Sequence, residues 1–488
     1  MRVFKLGWAA VLVAGTALAQ AAKPLEVKID WAKTVITSKT TPTLQVVVNP
    51  MLLRGAAMHD GSFAALKMLG ADYVRYVPWL PYPKQSVAEL EPGKWDFQYI
   101  DPTLEDFMKA TEGHSVVLNF STMPAWLWKT DKPVTYPADP NLQVWDYTQG
   151  TEIKDPTYKQ AADYYARLLS WYTQGGFNDE NGKRHESGHH YKIAYWEVLN
   201  EIDFEHKWKP EEYSRFYDAV TAAMRKVQPD LKFMAVSSGS PKTHGAMYEY
   251  FLNPKNHAPG TPLDFLTYHF YATPRRGETI QTMQFTFFDQ ADGFLATSRY
   301  IEQIKQRLSP TTKTDLNELG VILPTDDDSN RGAKHVPEPE GYWNLAGALY
   351  AYLYVNTAKM GIDVVGESQL VGYPTQYPSV SLIDYTNSKP TARFWVLKLL
   401  HDNFGPGDQL AETALPGSDV LAQAFATKAG HKLLIINKRS TAQTVTLPAA
   451  GTVTYVAPST GDNAPATKPT TGTQIALEPF EVAVVTLP

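Results

Sequence analysis

Tyr195-Trp196-Glu197-Val198-Leu199-Asn200-Glu201 is a short apolar, β-prone run that stops abruptly at an amide and a carboxylate. The run Lys313-Thr314-Asp315-Leu316-Asn317-Glu318 repeats that arrangement three strands later. Working outward, residues 45–404 alternate short apolar runs with segments of helical period, the pattern of parallel strands joined by crossover helices. Strands are expected over 45–48, 73–77, 115–120, 193–199, 232–236, 265–270, 313–319 and 363–369. The clearest helices fall over 158–172, 211–227, 298–308, 342–360 and 391–403, where apolar residues recur at three and four. Close to eight repeats predict an α/β fold, a (β/α)₈ barrel.

In such a barrel all strands end on one face, so polar strand-end residues point into a common site. Glu201 and Glu318 are therefore expected to face one pocket from opposite walls. Glycosidic cleavage needs that pair: one carboxylic acid protonates the leaving oxygen, and at about 5–5.5 Å a second carboxylate attacks the anomeric carbon. Asn200 sets an amide beside Glu201, where it can bind a sugar 2-hydroxyl.

Past Gly405-Pro406-Gly407 the pattern changes to short alternating segments such as 432–437, 443–447 and 482–487, which predict a small β-sandwich. Residues 25–35 also read as β and are expected to complete it. The expected division is a signal peptide over 1–19, N-terminal strands over 20–44, the barrel over 45–404 and the sandwich over 405–488. The signal reading rests on Arg2 and Lys5 ahead of the apolar run from Gly7 to Ala19, which closes on Ala17-Leu18-Ala19. A bilayer span takes about 20 apolar residues, so the run predicts export to a secreted or periplasmic location rather than an anchor.

A net charge of −6 argues against nucleic acid or an anionic membrane as partner and suits a neutral carbohydrate. The absence of cysteine excludes disulfides, thiolate metal sites and a cysteine nucleophile. Aromatic content of 12%, with 12 Trp and 27 Tyr, favours ring stacking on sugars. Trp79 and Trp126, with Trp128 and Tyr373, sit just past strand ends as candidate platforms, while Glu367 and Gln369 end the eighth strand. Oligomeric state, exo or endo action and sugar identity leave no mark in the sequence.

Trp196 to Asp203 (WEVLNEID) resembles the acid/base motif of clan A glycoside hydrolases, and of glycoside hydrolase family 39 in particular. Tyr73-Val74-Arg75, WDFQYID ending at Asp101, NFSTMP starting at Asn119 and DFLTYHFY ending at Tyr271 resemble that family's other motifs. The resemblance implies a retaining β-glycosidase with Glu201 as acid/base and Glu318 as nucleophile. It further implies Arg75 as a cation steadying the nucleophile, and His269 with Tyr271 as site-lining groups; β-xylosides or related plant or microbial polysaccharide linkages are the implied substrates, and Asn119 is a further candidate for binding them. The chain departs from the family pattern at Ile202 (usually Pro), Val77 (a nearby His), Asn119 (a nearby Glu) and the eighth strand, which lacks a Trp.

No metal or cofactor is expected. His185, His189 and His190 around Glu186 read as a solvated loop, and Asp326-Asp327-Asp328 lacks the spacing of a calcium loop. Residues 326–340 are long enough to cap the pocket. Two alternatives stay open: a non-catalytic carbohydrate-binding barrel, and a uronic-acid glycosidase using Arg275, Arg276 and Lys334. A metal-dependent barrel hydrolase would need His-x-His near the first strand, where Val46-Val47-Val48-Asn49 stands.

Overall fold

Eight parallel strands close into a barrel: β1 (Thr41–Val47), β2 (Val74–Val77), β3 (Val116–Leu118), β4 (Tyr195–Glu197), β5 (Lys232–Ser238), β6 (Phe265–Ala272), β7 (Lys313–Val321) and β8 (Val364–Glu367). The computed structural model describes residues 25–145, 150–470 and 472–488, so the expected signal peptide lies outside the described residues. Glu367 of β8 pairs with Leu44 of β1 to complete the closure. Each strand is followed by a main helix, with a further short one over Asp326–Asn330 after β7: α1 (His59–Leu69), α2 (Asp101–Ala110), α3 (Lys159–Thr173), α4 (Pro210–Val227), α5 (Gly245–Phe251), α6 (Ile280–Leu308), α7 (Tyr342–Met360) and α8 (Ala392–Asn403).

Local chemistry fixes these ends. In α4, Pro210 opens the first turn, Glu211 and Glu212 face the positive end of the dipole, and Arg225 and Lys226 face the negative end. In α1, Gly70 takes the left-handed conformation that closes the helix, φ 64°. Helix α6 reaches back to Ile280, well before the start expected at residue 298. Its first half carries Gln281, Thr282, Asp289 and Gly293, which weaken the apolar period, but Thr279 and Thr282 cap it reciprocally and Phe287, Phe288 and Ala291 bury its inner face. Helix α7 is apolar nearly all round because the barrel and the C-terminal domain cover opposite sides of it.

The C-terminal domain is a sandwich. Its larger sheet runs in the order Lys28–Thr37, Gln409–Ala414, Val420–Thr427, Gly430–Asn437, Val482–Thr486, Thr452–Val456, Ala466–Pro469. The smaller joins Leu25–Glu26, Gln443–Thr446 and Gln474–Leu477. The N-terminal segment thus completes both sheets. Leu433, Ile435, Val445, Ile475 and Val485 fill the space between them. The opposite face of the larger sheet, with Phe425, Leu434, Ile436 and Val484, belongs to the same apolar cluster as the barrel helices, which fastens the two domains together. No helix among the described residues is long and apolar enough to cross a membrane.

Candidate active site

The quoted stretch leaves its strand early. The ladder of β4 ends at Glu197; Leu199 and Glu201 then adopt positive φ, 65° and 39°, conformations that side-chain-bearing residues keep only when their surroundings enforce them. This turn lifts Glu201 over the barrel mouth and leaves Glu197 below it in the interior. Glu197 is buried and accepts from Arg75 (2.6 Å), Asn119 (2.5 Å), Thr267 (2.6 Å) and Asn317 (2.8 Å). Four donors on one buried carboxylate leave it without an unmet bond.

Arg75, from β2, sits at the centre. Its five N–H donors meet five acceptors: Glu197, Gln45 (2.5 Å), Glu318 (2.6 Å), Asn200 (2.6 Å) and Ser237 (3.2 Å). Glu318 also accepts from the Tyr271 hydroxyl at 2.7 Å. Burial would push the Glu318 carboxyl up, but the charges of His269 and Arg75 and the bonds from Tyr271 and Arg75 outweigh it and hold it below its ordinary value. The Glu201 carboxyl goes the other way: burial raises it, His269 pulls it partly back, and the charges of Glu318 and Asp203 add to the rise. Opposite shifts on two neighbouring carboxyls are the arrangement that a divided acid and base task calls for.

His269 joins them. Its Nδ1 lies 2.9 Å from Glu201 and 3.5 Å from Glu318, and its Nε2 lies 2.9 Å from the Ser237 hydroxyl. The Ser237 hydroxyl donates to Asn200 Oδ1 at 3.1 Å, which leaves its oxygen to accept from the His269 ring. Burial lowers the imidazole, yet Glu318 and Glu201 raise it above its usual value. Nδ1 of His269 and one oxygen each of Glu201 and Glu318 lie within 4.8 Å of one another. That set could also converge on a cation, although the Glu201 bond engages the Nδ1 position a metal would need.

These groups open into a cavity of about 270 Å³, walled by Trp79, Phe204, Ile322, Tyr377 and Val380 among others. Both glutamates line it; Glu201 is 19% exposed. None of its lining residues is Lys or Arg. Asn200, Tyr271, Trp79 and Gln369 also line it. Asn200 turns its amide nitrogen to Glu205 (2.9 Å), which also accepts from Trp79 (2.8 Å). Burial and the Glu201 charge push the Glu205 carboxyl up to about 8.

Several expectations need correction. Asn119 is buried against Glu197 and the Leu199 carbonyl, out of reach of substrate. Trp126 is half-buried, gives its indole N–H to the Glu89 carbonyl and does not line the cavity. Trp128 is a core residue stacked on His206, and the Tyr373 hydroxyl meets that of Tyr82. Arg75 is buried, so it acts on Glu318 rather than on substrate. Glu367 pairs with Arg393 below the site. Arg276 pairs with Asp328, and neither it nor Arg275 or Lys334 reaches the cavity. The loop after β7 buttresses the wall: Asp326 is buried and binds Ser379, and Asn330 binds the Tyr377 amide. Glu197, Ser237, Gln45 and Glu205 were not singled out as site residues in the sequence; the one available signal was charge or amide at inward positions of apolar strands.

A family model for the C-terminal immunoglobulin-like domain of D-apionate lactonase matches residues 417–485. No curated protein matches the chain. Among solved structures, the family 51 α-L-arabinofuranosidase AbfB from Bifidobacterium longum is similar over 95% of this chain and 99% of its own, with 16% identity and a TM-score of 0.63. A GH30 endoxylanase from Clostridium papyrosolvens C71 aligns over 94% and 99%, at 14% identity and a TM-score of 0.58. A glucosidase from Croceicoccus marinus aligns over 95% and 98%, at 12% identity and 0.60. These likenesses establish the shared barrel-plus-sandwich fold.

Proposed function

We propose that the protein is a retaining glycoside hydrolase acting on a neutral glycoside, with Glu318 as nucleophile and Glu201 as acid/base. One observation carries the reading: the two carboxyls present oxygens within 4.8 Å of each other across one cavity, which supports direct attack by one of them on the carbon whose leaving oxygen the other protonates. Glu318, held ionised by Arg75 and Tyr271, attacks the anomeric carbon as the glycosidic bond breaks and the Glu201 proton passes to the leaving oxygen. A water then gives its proton back to Glu201 while its oxygen displaces Glu318. Ring stacking falls to Trp79. The cavity's lack of cations speaks against a uronic acid at the reacting ring, and motif similarity to family 39 favours a β-linked pentoside. Export, from the N-terminal pattern, would bring the enzyme to extracellular or periplasmic glycosides.

A 2-fluoro sugar with an activated leaving group tests this: a covalent adduct on Glu318 is expected, and its absence together with failure to hydrolyse nitrophenyl xyloside, glucoside, arabinoside, galactoside and glucuronide would overturn it. The D-apionate lactonase match favours a second reading, hydrolysis of a sugar lactone by the same carboxyls. Turnover of aldonolactones without turnover of any glycoside would select it.

A further inference from the structure

Phe204 is an apolar ring left 69% exposed, and it lines the cavity mouth. Scattered surface apolar residues need no explanation, but this one is placed by the site itself. Its amide donates to the Glu201 carbonyl at 2.8 Å, and Asp203, between them, binds the Ser238 hydroxyl (2.7 Å) and the amides of Gly239 and Ser240 (both 3.0 Å). The turn bearing Glu201 and the β5 end are therefore pinned together, and Phe204, Gly239 and Ser240 all line the cavity beside Glu201.

The acid must reach the leaving oxygen, so the leaving group departs past Glu201, and Phe204 is the exposed apolar ring of the turn that carries Glu201. The remaining aromatic wall, Trp79 and Tyr377, is tied inward through Glu205 and the loop after β7. We propose that Phe204 is a specificity-determining residue, the platform on which the leaving group's first ring, a sugar with an apolar face or an aryl group, stacks during cleavage. The inference rests on the reading of Glu201 as acid/base.

The test compares the 4-nitrophenyl glycoside with the glycosyl fluoride of the same sugar, taken from xylose, glucose or arabinose according to which the wild type hydrolyses. Fluoride offers the platform nothing. In Phe204→Ala the ratio of kcat/KM, nitrophenyl over fluoride, should fall about tenfold, mostly through KM, and Phe204→Trp should restore it. Circular dichroism melting of both variants separates this effect from misfolding, which would lower both substrates together. A ratio unchanged in Phe204→Ala overturns the platform while leaving the glycosidase reading intact. A wild type that hydrolyses neither substrate overturns both.

Discussion

Gly239 gives a sharp test of how tightly the acid/base is held. A Cβ placed there would sit 2.6 Å from Glu201 Oε1 and 2.7 Å from its carboxyl carbon. Ordinary contact is roughly 3.4–3.5 Å or more, so one group has to give by about 0.8 Å. The backbone of Gly239 is fixed by Asp203, whereas Glu201 is the free end of a side chain, so Glu201 moves and its 2.9 Å bond to His269 is lost. Misplacing a reacting group by about 1 Å costs on the order of a hundredfold, about 2.7 kcal/mol of barrier. Gly239→Ala is therefore expected to lower kcat/KM on a glycoside with a poor leaving group about a hundredfold. Its thermal midpoint should change little, because φ at residue 239 lies outside the left-handed region. Near-wild-type turnover would refute the placement of Glu201, and a collapse in stability would show that the backbone yields instead.

Arg75→Met should destabilise the fold by about 3–5 kcal/mol in denaturant unfolding, since it leaves Glu197 and Glu318 buried without their cation. In the wild type the lowered Glu318 carboxyl contributes stability above its unfolded value that disappears as pH falls; in the variant the sign reverses, so the deficit should shrink between pH 8 and pH 5. Asp315 lies buried with both carboxyl oxygens unpartnered, and burial, with the Glu197 charge, drives it well above its ordinary value. Its stabilising contribution is complete below the unfolded value of about 3.9 and fades as pH rises, so Asp315→Asn should gain on the wild type by up to about 1.4 kcal/mol per pH unit above that point, read from paired unfolding curves. The pH profile of kcat/KM should be a bell whose acidic limb falls below the ordinary glutamate range and whose basic limb lies above it, as required by an ionised Glu318 and a protonated Glu201; Glu201→Gln should abolish the basic limb.

The barrel was legible because strand-length apolar runs recurred between helical periods, and the convergence of Glu201 and Glu318 followed from their places just past β4 and in the C-terminal half of β7. Less legible were features that depend on contacts across the barrel. Glu197 differs from Glu201 only in standing four residues earlier, yet the positive-φ turn at Leu199 sends one into the interior and the other to the mouth. Asn119 ends its strand as a ligand would, but the Glu197 carboxylate below claims its amide. Trp126 and Trp128 follow β3 closely, and nothing in their spacing reveals that a carbonyl and a histidine ring already cover them. The first strand begins at Thr41 rather than residue 45 because Thr41 and Pro42 pair with β8, a partner some 320 residues away.

The pairing of Lys28–Thr37 with Gln409–Ala414 also bears on synthesis. The Lys28–Thr37 strand is made before the barrel and waits, through production of the whole barrel, for the strand that shelters its edge. An unsatisfied edge of this kind recruits other chains. Release of a chain truncated before residue 409 would leave that strand without a seat, so shortened forms should aggregate even though every barrel strand is present.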